Sequence, residues 1–378
     1  MANIVYLGCE PLYKKDGFSE RVRGICSGLG KRHNLELHTL GSLKIQDGIT
    51  DFKDFKEFRY KTIGRACAYY AANFFENTGI SGFLRGLDMR IARKAWLALQ
   101  KADIVIFEDL TFAPSLAKLK KKMQSRGKKL VLICNLHNVY KEDSTVEKFA
   151  SLNSDLILVC SEEERNLFLK KYSRLGIDEN KILIVENGMT PAQVSLRENI
   201  KKRSFFIGSA YKPNAEAVRF IIKLSEHLED WEHVIVGGVC ELIDEKDKKE
   251  RMKNMKFLGK LERTEIEKVI ADCGIALCPL FEGSGTSLKM VDYLTHALPT
   301  VSTRLGARGL GLTPGVHYLE AESIDEFVYA IKKLENDNEL YKRLSYEGKK
   351  SVDERFDWIW LAEKINKRIL ELIEKNKR

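Results

Sequence analysis

Short apolar runs recur along the chain with helix-length segments between them, and this alternation limits the fold more than any other feature. In the first half they fall at residues 3–8, 35–40, 103–107, 130–134, 156–160 and 182–185, and in the second at 204–207, 233–236, 256–258, 275–278 and 299–302. Unbroken apolar runs suit strands buried on both faces, and strands separated by helices suit a parallel sheet wrapped on both sides. With 378 residues the chain is longer than one ordinary core, so two α/β domains of Rossmann type are expected. The pattern breaks at residues 187–195, where Asn187-Gly188 is followed by a polar, proline-containing stretch. The expected division is therefore 1–189 and 190–356. The remaining segment, 357–378, reads as an amphipathic helix with Trp358, Leu361, Ile365, Ile369 and Ile373 along one face. Its periodicity fits either a cap on its own domain or a return to the first.

Charge divides unevenly between the halves. Residues 1–189 carry 31 Lys and Arg against 23 Asp and Glu, whereas 190–378 carry 32 against 31. The excess of +8 thus sits on the first half. Within it, Tyr69, Tyr70, Phe74, Phe75, Phe83 and Leu84 precede Arg85, Arg90, Arg93, Lys94 and Trp96. Rings beside cations suit an anionic membrane surface, and a helical hairpin that buries its rings in the core accounts for the same residues. The seven basic residues between Lys118 and Lys129 read as a solvated helix end before the next strand.

No apolar run reaches the roughly 18–20 residues that span a bilayer, and residues 2–8 are too short for a signal peptide. A cytoplasmic location is expected. The eight cysteines are scattered without a C-x-x-C pair, which points to reduced, buried thiols rather than zinc or disulfides.

Residues 274–311 join a buried strand, a glycine loop and a helix start. Residues 274–278 form the strand, Pro279 stops it, and Gly283 and Gly285 allow backbone to come close to a ligand. Thr286 and Ser287 are fit to cap the helix that follows, so its unpaired N–H groups and positive dipole end face the loop. An anion belongs there. The loop G-S-G-T-S-L misses the last glycine of a dinucleotide fingerprint, and no Walker sequence occurs. Lys289 and Asp292 lie three apart on the new helix. They read either as a surface ion pair or as a phosphate cation beside a carboxylate for ribose hydroxyls.

The run E-G-S-G-T-S-L-K-M-V-D-Y-L-T-H-A-L-P-T-V-S-T-R-L-G-A-R-G-L resembles the donor-binding segment of glycosyltransferase family 4, retaining enzymes of the GT-B fold. Stretches ending Asp16-Gly17-Phe18, and L-I-C-N-L-H-N-V, V-C-S-E-E-E, I-V-E-N-G-M and F-I-G-S-A-Y-K-P-N, resemble the same family in the same order. The resemblance implies two Rossmann-like domains with parallel sheets facing across a cleft. It assigns the acceptor to the first and a nucleotide-diphosphate sugar to the second. Asp292 matches the acid that holds ribose, while the family's other acid falls at Ser284. Loop amides of Gly283, Ser284, Gly285, Thr286 and Ser287 are then the expected grip, with Glu282 as the nearest acid able to stand in. Gly17 matches the glycine beside the diphosphate and sugar, and His137 the histidine facing the transferred sugar. Gly208 opens the loop where the family's Arg is replaced by Ser209. Lys212, Lys289, Arg304 and Arg308 are candidate phosphate cations.

No D-x-D occurs, so neither a metal nor another cofactor is expected. The implied activity is retaining transfer of a hexosyl-type sugar to a saccharide or lipid-linked acceptor in surface-glycan biosynthesis, with a possible anionic membrane surface as partner and no nucleic acid. A sugar-nucleotide epimerase on the same fold and a non-catalytic binding subunit are the alternatives.

Overall fold

The computed structural model describes residues 1–14, 17–41, 47–61, 80, 84, 92–140, 142–245, 253–283 and 286–377. The expected aromatic and basic residues from Tyr69 to Phe83, with Arg85 and Arg90, lie outside the described residues, as do Asp16, Ser284 and Gly285. Two compact units account for the chain: Met1–Gly188 with Trp358–Arg378, and Met189–Asp357.

The first unit holds an eight-stranded sheet of β1 (Asn3–Gly8), β2 (Asn34–Gly41), β3 (Gly48–Asp51), β4 (Lys56–Lys61), β5 (Ile104–Phe107), β6 (Val131–Asn135), β7 (Leu156–Val159) and β8 (Ile182–Ile184). Their spatial order is β3-β4-β2-β1-β5-β6-β7-β8. All neighbours run parallel except β3 and β4. Alternate residues of β1 enter opposite cores. Ile4 and Tyr6 pack with helix α1 (Gly17–Gly30), and Val5 and Leu7 pack on the other face with α2 (Arg93–Lys101) and α3 (Ala113–Gln124). Helices α4 (Thr145–Asn153) and α5 (Glu162–Tyr172) follow β6 and β7.

Two of these strands escape a reading of apolar runs. The segment K-E-F-R-Y-K forms β4 although it is mostly charged. Its Glu57 is buried because Arg59 pairs with it at 3.0 Å and Thr39 and the Leu12 amide donate to it. A satisfied carboxylate can occupy an inward position that a hydropathy pattern reserves for apolar residues.

The second unit is a six-stranded parallel sheet. Its strands are β9 (Arg203–Ile207), β10 (Glu232–Val236), β11 (Met255–Gly259), β12 (Ile275–Cys278), β13 (Thr300–Ser302) and β14 (Leu319–Glu320), in the order β11-β10-β9-β12-β13-β14. Helices α6 (Lys212–Ser225), α7 (Arg263–Asp272), α8 (Leu288–Thr295), α9 (Ile324–Asn336) and α10 (Asn338–Asp353) complete it.

Helix α11 (Trp358–Lys377) belongs to the first unit. Trp358, Leu361, Ala362, Ile365 and Ile369 are buried in the core shared with α1. Contact is close because α1 presents Gly24 and Gly28 on one face. A Cβ at Gly24 would stand 2.0 Å from the Trp358 ring, and one at Gly28 would stand 2.2 Å from the Ala362 Cβ. The buried His33 ring joins the same seam. Its Nδ1 accepts from the Ala2 amide at 3.2 Å, so Nε2 carries the proton and donates to Asn366 Oδ1 at 2.8 Å.

The seven cysteines among the described residues are buried, and Cys67 lies outside them. No helix among the described residues is long and apolar enough to cross a membrane.

Candidate functional site

In an open parallel sheet, ligands bind beyond the carboxyl ends of the strands where successive connections depart in opposite directions. In the second unit this point lies between β9 and β12, since β10 flanks β9 on one side and β12 on the other. The Gly208 loop leaves β9 there, and the glycine loop leaves β12. The two segments singled out from the sequence therefore share one edge of the sheet.

Gly283 has φ of +134°, a conformation that a side chain resists. Glu282 is exposed on the same loop, and Thr286 and Ser287 are partly exposed beside it. Ser287 occupies the N-cap position of α8, but its hydroxyl makes no capping bond and lies 3.8 Å from Cys278 Sγ. The expected Ser287 cap is thus corrected: the site takes its position from the backbone. Beneath the loop the helix is anchored by Met290, Val291, Tyr293 and Leu294, all buried, with the Tyr293 hydroxyl accepting from the Ile207 amide at 3.1 Å.

Of the two readings of Lys289 and Asp292, the surface ion pair does not form. Asp292 is buried, and Arg263 at the start of α7 binds it through both oxygens at 2.8 and 3.0 Å. The His296 ring donates from Nδ1 to the Asp292 carbonyl at 2.7 Å, leaving Nε2 to face the Arg263 guanidinium at 3.4 Å. Lys289 turns the other way, to Asn214 Oδ1 at 2.5 Å, with its ammonium 4.8 Å from the centre of the Phe206 ring. Burial pulls this ammonium below the usual lysine range. An i,i+3 spacing puts two residues on neighbouring helical positions, but tertiary partners decide where their side chains go.

The other expected cations divide. Lys212 is exposed at the first position of α6. Arg304 is bound to Glu320 at 2.9 Å on an exposed surface, which accounts for it without a ligand. Arg308 reaches the glycine loop, its Nη2 lying 3.6 Å from the Cβ position of Gly283.

The first unit has its own crossover point between β1 and β5. Glu108, just past β5, lies there with its side chain fully buried. It accepts from the Cys9 amide at 3.1 Å, the Tyr6 hydroxyl at 3.2 Å and His137 Nε2 at 3.2 Å. The chain of bonds continues inward: Asn135 Nδ2 donates to Tyr6 at 2.8 Å, and buried Arg21 donates to Asn135 Oδ1 at 3.1 and 3.2 Å and to the Val185 carbonyl at 2.7 Å. His137, two residues past β6, is thus oriented by a buried carboxylate. Burial, with Glu108 next, pushes the Tyr6 phenol far above its ordinary range and keeps it a neutral donor. Gly17 begins α1. Arg21, Asn135, Tyr6 and Glu108 were not among the residues expected from motifs. The signal was present in Glu108 and Asp109, two acids directly after a fully apolar strand.

Among the described residues no group of His, Cys, Asp and Glu is arranged to hold a metal ion.

Comparison with known proteins follows this division. Residues 201–337 match the family model described as "Glycosyl transferases group 1". No curated protein matches the chain in sequence. Among solved structures, HepE of Anabaena in complex with UDP superposes with a TM-score of 0.67 at 13% identity, over 98% of this chain and 100% of that one. A glycosyltransferase from Rickettsia africae gives 0.68 at 14% identity over 99% and 98%. The lipopolysaccharide outer core galactosyltransferase WaaB gives 0.65 at 14% identity over 97% and 99%. Residues 201–337 are thus similar to the group 1 glycosyl transferases, and the likeness to these solved structures shows two Rossmann-like units of the GT-B fold.

Proposed function

We propose that the protein is a retaining glycosyltransferase that takes a sugar from a nucleotide-diphosphate donor and passes it to a saccharide or lipid-linked acceptor of surface-glycan biosynthesis. The observation that carries the reading is the glycine loop and α8 N-terminus at the crossover point of the second unit's sheet, within the matched family segment. Loop amides and the helix dipole end there would meet the diphosphate, and Asp292, held by Arg263, keeps unused lone pairs for ribose hydroxyls. HepE has been solved with UDP and with UDP-glucose, which supports a uridine nucleotide as the first donor to try.

In the first unit Glu108 aims His137, whose ring would contact the sugar during transfer. Retention follows if a donor phosphate oxygen takes the proton of the attacking acceptor hydroxyl on the face that the diphosphate leaves. The new glycosidic bond forms as the sugar–phosphate bond breaks, and the proton leaves with the nucleoside diphosphate. This route uses no protein nucleophile and, in our reading, no metal. The acceptor assignment draws support from WaaB, a galactosyltransferase of the lipopolysaccharide outer core, and the basic first half suits an anionic membrane face.

A thermal-shift screen with UDP, GDP, ADP and CMP tests the donor site. A ligand of the folded state at ~100 times its Kd adds about 2.7 kcal/mol, so one nucleoside diphosphate should raise Tm visibly. No shift with any of them contradicts the reading. Product analysis then separates the activities: retained anomeric configuration in a glycosylated acceptor supports transfer, whereas a free epimerised nucleotide sugar would replace it with epimerisation. Flotation with anionic and neutral liposomes tests the membrane part, which fails if neither is bound.

A further inference from the structure

Lys289 presents an unusual balance of charge. Its ammonium is tucked against the Phe206 ring and the Asn214 amide oxygen, and no carboxylate among the described residues lies within ion-pairing distance of it. The ionisable group that acts on it is the Cys278 thiol, which burial keeps protonated and therefore neutral. A cation removed from water is ordinarily paired with an anion. Here a neutral carbonyl and the face of a ring stand in, and an ammonium has three donors to place.

Asn214 explains how the lysine is kept there. It is the third residue of α6 and is buried. Its Nδ2 donates to the Ser209 carbonyl at 3.0 Å and to the Ser209 hydroxyl at 3.3 Å, while its Oδ1 takes Lys289. The fit is tight, since a Cβ at Gly208 would stand 2.9 Å from Asn214 Cβ. One amide therefore ties the loop after β9 to a cation on α8, across the two strands that flank the crossover point. The sequence has Ser209 where the resembling family commonly has Arg, so this loop brings no guanidinium of its own.

We propose that Lys289 is the residue by which this site distinguishes a nucleoside diphosphate from a nucleoside monophosphate, and that Asn214 is the positioning residue that holds it ready. The inference rests on the donor-site reading above. An arriving β-phosphate supplies the anion that the lysine lacks. Asn214 must be neutral for this to work: a carboxylate in its place would satisfy the ammonium permanently and leave a net charge of zero where the phosphate should sit.

The test is the affinity of UDP and of UMP for the full chain, measured by titration calorimetry in the wild type, Lys289→Met and Asn214→Asp. If the protein prefers another base, the GDP/GMP or ADP/AMP pair is used instead. The wild type should bind the diphosphate at least about tenfold more tightly than the monophosphate, as expected when one charge-assisted contact is added. Both variants should bring that ratio near one while leaving monophosphate affinity within about threefold. Asn214→Asp is nearly isosteric and places an acid in the first turn of a helix, where it is tolerated. It gives up the donation to the Ser209 carbonyl, and an unchanged monophosphate affinity shows that the loop has kept its shape, so it serves even if Lys289→Met fails to fold. An unchanged ratio in Asn214→Asp overturns the proposal and leaves the donor site standing. A wild type that binds no nucleoside diphosphate overturns both.

Discussion

Among single residues, buried polar groups set the geometry of both candidate sites. Glu108 is one: it gathers three donors at the end of β5, and only His137 among them is partly exposed. Glu108→Gln keeps the shape but replaces an acceptor of three hydrogen bonds with a group that must also donate. Transfer should slow by about tenfold or more while nucleoside diphosphate affinity stays within about twofold, because the histidine is misaimed and the donor loop is untouched. Equal losses in both quantities would instead mean general unfolding. His233 of β10 is a purely structural contrast. Its Nδ1 meets Ser204 Oγ at 2.7 Å, its Nε2 has no partner, and burial lowers its pKa to about 4. The unfolded chain takes up the proton first, near pH 6.5. Stability should therefore fall by about 1.4 kcal/mol per pH unit as pH drops from about 6.5 to 4, with the full effect present above that window. His233→Gln should flatten Tm against pH between those values; an equally steep slope in the variant would assign the loss to other groups.

At the scale of elements, the seam between α1 and α11 shows what a sequence does and does not display. The apolar stripe from Trp358 to Ile369 was legible, yet the surface that receives it was not, because the receiving feature is the absence of side chains at Gly24 and Gly28. Gly28→Val forces a side chain into the space of Ala362 and should cost about 1–3 kcal/mol by overpacking, read as a lower urea midpoint. No change in midpoint would mean that α11 does not pack there. Most strands were legible for the opposite reason: in β1, β5, β6, β7 and β12 nearly every side chain is apolar and buried on one face or the other, and β9 and β10 each keep a run of three apolar residues. Strand β4 was hidden by charge, since Glu57 and Arg59 neutralise one another inside the fold, and β3 by its shortness, since none of its four residues is buried.

At the scale of the whole molecule, the sequence displayed the carriers of the site and concealed their wiring. The glycine loop and Asp292 could be singled out, because their residue types and spacing are tied to backbone geometry. That Asp292 belongs with Arg263, and Lys289 with Asn214, could not: those partners are 29 and 75 residues away and are set by how α7 and α6 meet α8. The two crossover points, one in each sheet, give the same architectural answer to where a ligand belongs. The most direct test is hydrogen–deuterium exchange of the full chain with and without a saturating nucleoside diphosphate. The account predicts slowed exchange concentrated in residues 207–214 and 283–292, where loop amides and the α8 N-terminus receive the phosphates. Binding that leaves both segments unchanged and protects another region would contradict it.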